Sequence, residues 1–259
     1  MTGKVFAQNF QVNDKGWIVF DSDDDLRDMY SDSGYRKHPA KQNMGLILEL
    51  MLYLTERGDV VLDPMSGTGT NLVGLTVGRN VINIELEEHY YQTQLATLEK
   101  IQQTGAKASG IVLHGDCRKF LPIPCDHVIF SPPYADTLSG KADNTKRHFS
   151  NQYVEDFTAS ENNLGRLAAF FFNIEMERVY RLLHQSLKPG GTMTVIIKDF
   201  IRSGKRIALT EAMIRQCSHL GFKVREWHKR YAASGYTALN SKRGVRVVDD
   251  EDLVIFEKV

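Results

Sequence analysis

Short apolar runs alternating with stretches of helical spacing predict an α/β fold with a mainly parallel sheet. Three observations carry that expectation. The runs at 60–63, 81–85, 111–113 and 127–130 are nearly continuous in Val, Ile and Leu, as in strands buried on both faces. Between them, apolar residues recur at helical intervals. Glycine or Pro-Gly signals close several of the helical stretches.

Residues 1–36 lack sustained periodicity apart from a short strand expected at 16–20. From 43 to 57, Leu46, Ile47, Leu50, Met51 and Leu54 form one helical stripe, and Gly58 is expected to end that helix. The strand at 60–63 leads into a glycine-rich turn and a helix beginning near Asn71. The strand at 81–85 leads into a helix over about 87–103, with Tyr91, Leu95, Leu98 and Ile101 on one side. Strands at 111–113 and 127–130 follow. A long helix over about 164–187 stops at Lys188-Pro189-Gly190-Gly191 before a fifth strand at 193–197. A helix near 209–220 ends at Gly221, and strand-like runs at 222–230 and 253–257 close the chain.

The 259 residues suit one large domain with a small addition. At 42% hydrophobic and 25% charged, with 20 Gly and 7 Pro, the chain is neither collagenous nor low in complexity. No stretch approaches 18 uninterrupted apolar residues, which argues against a membrane span. The first residues contain no apolar signal core, and the three cysteines (Cys117, Cys125, Cys217) form no CxxC pair. The expectation is a cytoplasmic protein without a disulfide framework or metal site.

Net charge is zero, but its distribution is uneven. Residues 1–36 hold seven acids and four bases, whereas 198–246 hold twelve bases and three acids. A basic tract is either a solvated face or an electrostatic footprint for phosphates.

In sheets of this kind, ligands sit at the carboxyl ends of the strands. Asp63-Pro64-Met65-Ser66-Gly67-Thr68-Gly69-Thr70 stands at one such end. Gly67 and Gly69 allow a tight turn and close approach to a ligand. Leu72 replaces the third glycine of a dinucleotide fingerprint, and no Gly-Lys-Ser/Thr is present for a phosphate loop. A carboxylate at Asp63 suits a cationic or amine-bearing ligand. Glu85, ending the second strand, is placed to accept hydrogen bonds from ribose hydroxyls; the alternative is a solvated acid at a helix start. Asp116, in His114-Gly115-Asp116-Cys117-Arg118, is placed for an adenine amino group or is an ordinary turn residue. Ser131-Pro132-Pro133-Tyr134 ends the fourth strand. A serine oxygen, a rigid proline carbonyl and an aromatic face there can hold a planar heterocycle bearing an amino group.

Together these motifs resemble the S-adenosylmethionine-dependent amino-methyltransferases of DNA. Residues 63–70 are similar to the cofactor-binding motif Asp-Pro-Phe-x-Gly-x-Gly-Thr, with Met65 in the place of Phe. Residues 131–134 are similar to the catalytic motif, whose serine form is typical of the cytosine-N4 branch; Asp or Asn is commoner in the adenine-N6 branch. Lys37-His38-Pro39-Ala40 resembles the motif that packs on the methionine end of the cofactor, and 187–191 and 252–258 also match. The resemblance covers about 37–258. It implies a class I methyltransferase fold, Rossmann-like α/β: a seven-stranded, mostly parallel sheet with helices on both faces and a partly antiparallel last hairpin. S-adenosylmethionine is the implied cofactor, bound by His38, Pro39, Ala40, Asp63, Met65, Ser66, Gly67, Gly69, Thr70, Glu85, Asp116 and Cys117. Ser131, Pro132, Pro133 and Tyr134 are the implied catalytic residues.

The motif order is methionine-end, glycine, catalytic, without the permutation frequent in the cytosine-N4 branch. There is no large target-recognition domain; a loop at about 135–163 follows the catalytic motif. The expected organisation is an N-terminal extension, 1–36, and a methyltransferase domain, 37–259. The expected partner is nucleic acid, DNA favoured over RNA, met by Lys146, Arg147, Arg202, Lys205, Arg230 and Arg243. The expected reaction is methylation of an exocyclic base amine, cytosine N4 favoured, in the manner of restriction-modification methyltransferases. Adenine N6, a base amine in RNA, and a non-catalytic nucleic-acid-binding partner are the alternatives.

Overall fold

A computed structural model describes residues 4–37, 41–134, 160–202, 204–232, 244 and 247–259. Two short strands, β1 (Gln11–Val12) and β2 (Ile18–Val19), precede helix α1 (Asp24–Tyr30) and a 3-10 turn at Ser33–Lys37. Then follow α2 (Met44–Leu54), β3 (Val60–Asp63), a 3-10 helix at Thr70–Val77, β4 (Asn80–Glu85), α3 (Glu88–Gln103), β5 (Gly110–His114), α4 (Cys117–Phe120) and β6 (Cys125–Phe130). A 3-10 turn at Leu164–Arg166 leads into α5 (Ala169–Ser186) and β7 (Leu187–Ile197). The hairpin β8 (Phe200–Arg202) and β9 (Lys205–Ile207), helix α6 (Leu209–His219), β10 (Phe222–Tyr231) and β11 (Asp250–Lys258) complete the chain.

The main sheet runs β1-β2-β10-β11-β7-β6-β3-β4-β5. Strands β3 to β7 pair in parallel, and β11 inserts antiparallel between β7 and β10. Those seven strands form the expected sheet. Two more come from the N-terminal extension, because Ile18 lies beside Arg230 at the β10 edge. The extension also packs on the domain: Phe6, Ala7 and Ile18 join Ile47, Leu50 and Met51 in the core on one face. The other face is closed by α5 and α6 through Val179, Leu183, Met213 and Cys217. Consecutive strand residues such as Val128 and Ile129 therefore enter opposite cores, which explains the unbroken apolar runs. Among the described residues no helix is long and apolar enough to cross a membrane.

Two expected boundaries, one helix type and one buried stripe are corrected. Helix α2 ends at Leu54, not at Gly58: Thr55 Oγ1 donates to the Met51 carbonyl, and Arg79 grips both Thr55 oxygens. Gly58 instead takes positive φ in the following turn. The helix expected after the glycine turn is a 3-10 helix bounded by the left-handed residues Gly69 and Gly78. Helix α5 starts at Ala169, after its own 3-10 turn, rather than at 164. On α3 the buried stripe is Tyr90, Thr93, Gln94, Thr97 and Ile101, one step from the apolar stripe read in the sequence. Of its polar members, Gln94 is covered by the glycine loop, and Thr93 and Thr97 by the 32–34 segment, where the Asp32 amide donates to Thr97 Oγ1.

Candidate active site

The parallel strands deliver Asp63, Glu85 and Ser131 to one edge of the sheet. A cleft of about 380 Å³ opens there, lined by the glycine loop, Glu85, Leu86, Glu87, Asp116, Cys117, residues 131–134, residues 162–164 and Glu251. Of the cofactor residues expected from sequence, Asp63, Met65, Ser66, Gly67, Thr70, Glu85, Asp116 and Cys117 line it directly. His38, Pro39 and Ala40 lie outside the described residues.

The glycine loop is held from behind. Gly67 has φ 52 and Gly69 has φ 76, both left-handed. A Cβ on Gly69 would lie 2.6 Å from Gln94 Cγ, so glycine is required there twice over. The buried Gln94 amide donates to Ser66 Oγ (2.8 Å) and to the Gly67 carbonyl (2.7 Å), and accepts from Asn83 Nδ2 (2.9 Å). Ser66 Oγ in turn donates to the Ile84 carbonyl on β4. Asn71 Nδ2 donates to the Ile129 carbonyl at 2.7 Å, tying the loop to β6 two residues before Ser131. Gln94 and Asn71 were missed in the sequence reading. The available signal for Gln94 was a polar residue on a helix whose apolar stripe is thin.

Asp63 and Glu85 are buried carboxylates that form no ion pair with any described residue. Asp63 accepts from the Met65 amide, and Glu85 from the Glu87 amide. Burial pushes the Asp63 carboxyl up to about 7 and the Glu85 carboxyl up to about 8. Two buried acids in the cleft with no ion pair to a described residue suit a ligand that brings cationic and hydroxyl groups. S-adenosylmethionine carries a sulfonium, an ammonium and a ribose, so this donor set fits it.

Asp116 is less open than expected. Its carboxylate caps α4 and holds the Arg118 guanidinium through Nε and Nη2, and Arg118 also reaches Glu175 at 2.6 Å. Those bonds fix its direction into the cleft wall. Cys117 is buried beside it, and burial pushes its thiol up to about 12, so it is a packing residue rather than a nucleophile.

Beyond β6, Pro132 is buried, and Ser131, Pro133 and Tyr134 are half-buried on the cleft. The Tyr134 ring packs on the core, and its hydroxyl accepts from the Lys198 amide at 3.0 Å.

Three bases of the tract, Arg206, Lys229 and Arg230, are neutralised by Asp199 and the start of β11. Arg230 pairs with Glu251 at 2.6 Å, with side chains 12% and 9% exposed. Arg206 pairs with Asp199 and Asp250, and Lys229 with Asp250 and Asp252. The expectation that Arg230 presents a free charge to phosphate is therefore corrected: the surplus of bases was counted up to residue 246, just short of four consecutive acids, Asp249, Asp250, Glu251 and Asp252. Lys205 is exposed on β9 and forms no ion pair with a described residue. Lys146, Arg147, Arg243 and the Arg202 side chain lie outside the described residues. Among those residues no cluster of His, Cys, Asp and Glu is arranged to hold a metal ion.

The sheet order and the strand-end cleft define the class I methyltransferase fold. Solved structures agree. The chain superposes on an S-adenosylmethionine-dependent methyltransferase from Methanosarcina mazei with TM-score 0.51, 11% identity and coverage of 81% of this chain and 97% of that one. A methyltransferase from Pyrococcus furiosus gives TM-score 0.50, 14% identity and coverage of 85% and 86%. At such identities the likeness concerns the fold. A family model for N6/N4 methyltransferases, described as DNA methylase, matches residues 8–97. Type II methyltransferase M2.MboI of Moraxella bovis is 39% identical over 57 residues, 22% of this chain and 21% of that protein. YubD of Escherichia coli (strain K12), whose name gives it as a methylase, is 37% identical over 78 residues, 29% of this chain and 34% of that protein. Each alignment thus spans about a third or less of the relative's length. These matches support the N4/N6 DNA methyltransferase family that the motifs resemble, and S-adenosylmethionine is the cofactor that family and fold use. The family match covers the extension and the glycine loop and stops short of residues 131–134.

Proposed function

We propose that this chain transfers a methyl group from S-adenosylmethionine to an exocyclic amino group of a base in DNA, with cytosine N4 as the favoured acceptor. One observation carries the reading. The glycine loop with its unpaired buried acids and the Ser131-Pro132-Pro133-Tyr134 strand end line the same cleft, coupled through Asn71.

Asp63, Ser66, Gly67 and Glu85 would hold the cofactor, with Asp116 and Cys117 on its adenine side. When bound, the cofactor supplies an electrophilic methyl on a sulfonium. The acceptor amine is a poor nucleophile, because its lone pair is delocalised into the ring. Ser131 Oγ and the Pro132 carbonyl would accept hydrogen bonds from its two hydrogens and draw the nitrogen towards tetrahedral geometry. Oriented acceptors of this kind favour the positive charge that develops on the amine. Pro132 and Pro133 keep the carbonyl direction fixed. Tyr134 would stack on the base, which must leave a duplex to reach the cleft. Holding amine and methyl in line supplies much of the remaining rate.

The DNA preference rests on the family description, and the cytosine preference on the serine of the 131–134 motif. Incubation of duplex DNA, single-stranded DNA and RNA with methyl-labelled cofactor, followed by nucleoside analysis, tests polymer and base together. Label in N4-methyldeoxycytidine supports the reading; label in an RNA nucleoside alone overturns it.

A further inference from the structure

The cleft holds a third buried carboxylate, which the proposed reaction does not use. Glu87 is 5% exposed and forms no ion pair with a described residue. Its Oε2 accepts the Ser160 amide at 3.0 Å, and its Oε1 accepts Asn163 Nδ2 at 2.8 Å. Those donors belong to the segment that supplies Asn162, Asn163 and Leu164 to the cleft wall. The segment is compact: Asn163 N donates to the Ser160 carbonyl, and Asn163 Oδ1 accepts from Gly165 N. It is also tied by a 3.4 Å contact from Arg118 Nη2 to the Asn162 carbonyl and by Leu164, which is buried in the core. On the other side, the Glu87 amide donates to Glu85 Oε1. One residue thus joins the strand end assigned to the ribose to a wall from a distant part of the chain.

We infer that Glu87 is a positioning residue for the cofactor, holding the 160–164 segment as the wall on the adenosine side of the cleft. This rests on the proposed reading of the cleft as a cofactor site. Both Glu87 oxygens act as acceptors in buried hydrogen bonds, and an amide in its place would set a donor against a donor.

The test is calorimetric titration of the full chain with S-adenosylhomocysteine and with 5′-methylthioadenosine, which lacks the amino-acid end. Glu87→Gln should weaken both ligands by about tenfold or more, since the wall touches only the adenosine half. The double variant Glu87→Gln with Asn163→Asp reverses the polarity of one bond while keeping the cap on Gly165. It should recover both affinities to within about threefold of wild type, as coupled pairs do in a double-mutant cycle. A role in fold stability alone would shift the denaturation of Glu87→Gln and leave both affinities at the wild-type value. Wild-type affinity in Glu87→Gln, or no recovery in a folded double variant, overturns the inference. Failure of the wild-type protein to bind either ligand overturns the cofactor reading itself.

Discussion

The Tyr134 hydroxyl accepts a hydrogen bond from the Lys198 backbone amide at 3.0 Å. The bond spans from the strand end after β6 to the one after β7, so the ring that would stack on a base is anchored at its far edge. Stacking on a base by itself needs only the aromatic ring. Here the hydroxyl also matters: Tyr134→Phe leaves the Lys198 amide without its acceptor and frees the ring to shift. We predict a loss of catalytic efficiency corresponding to about 1–3 kcal/mol, with cofactor affinity unchanged. Tyr134→Ala should lose at least as much, chiefly in capture of the base. Steady-state kinetics beside cofactor titration checks both.

Ser131→Ala removes the proposed acceptor for the reacting amine and leaves the glycine loop intact. If that bond strengthens as the nitrogen becomes tetrahedral, kcat falls by about 10²–10³ while cofactor affinity holds. A serine that merely closes a strand predicts near-normal turnover. Single-turnover methylation by the folded variant separates the two.

The buried acids set a pH dependence. With Asp63 raised to about 7 and Glu85 to about 8, both are largely protonated in the free protein at mildly acidic pH. A ligand carrying cationic and hydroxyl groups favours their ionised forms. Cofactor affinity should therefore rise as pH increases towards 8, and binding near pH 7 should release protons. For the free protein the sign is opposite. The folded state holds protons that the unfolded chain has lost above about pH 4, so these two groups lower stability as pH rises from about 4 to 8. Calorimetry in buffers of different ionisation enthalpy reads the proton release, and denaturant titrations read the stability.

Gln94 supports the loop that carries the first cofactor motif. Gln94→Leu keeps the volume but leaves Ser66, Gly67 and Asn83 without their buried partner. Stability should fall by about 1–3 kcal/mol and cofactor affinity with it. Chemical denaturation and calorimetry together test this; a change in neither would contradict the assigned support.

The cationic side chains divide into two groups. Lys205→Ala should lower the slope of log affinity against log salt by about one unit for a nucleic-acid ligand. Arg230→Ala should leave that slope unchanged and cost stability instead, since it strands the nearly buried Glu251. Equal slope changes in both variants would restore Arg230 as a phosphate contact.

Much of the fold was legible in the chain because the inner parallel strands are buried on both faces, so residues 60–63 and 127–130 read as apolar runs; the edge strand β5 is half-exposed. The glycine motif was legible because only glycine tolerates the left-handed turns at 67 and 69. Partners distant in sequence were not. Gln94 lies on α3 and serves a loop some 27 residues earlier, and Glu87 is met by a segment 73 residues later. In the extension, β2 falls within the strand expected at 16–20, whereas β1 is only two residues long, too short for periodicity to register. Arg230 looked like a surface cation because its partner Glu251 is brought beside it only by β10–β11 pairing.

The central claim is that this cleft methylates an exocyclic amine of a DNA base. Nucleoside mass spectrometry tests it most directly, after duplex DNA, single-stranded DNA and RNA are incubated with the protein and methyl-labelled S-adenosylmethionine. The account predicts label in N4-methyldeoxycytidine from DNA, lost in Ser131→Ala. Label confined to RNA, label on a ring carbon, or no transfer to any nucleic acid by a protein that binds the cofactor would contradict it.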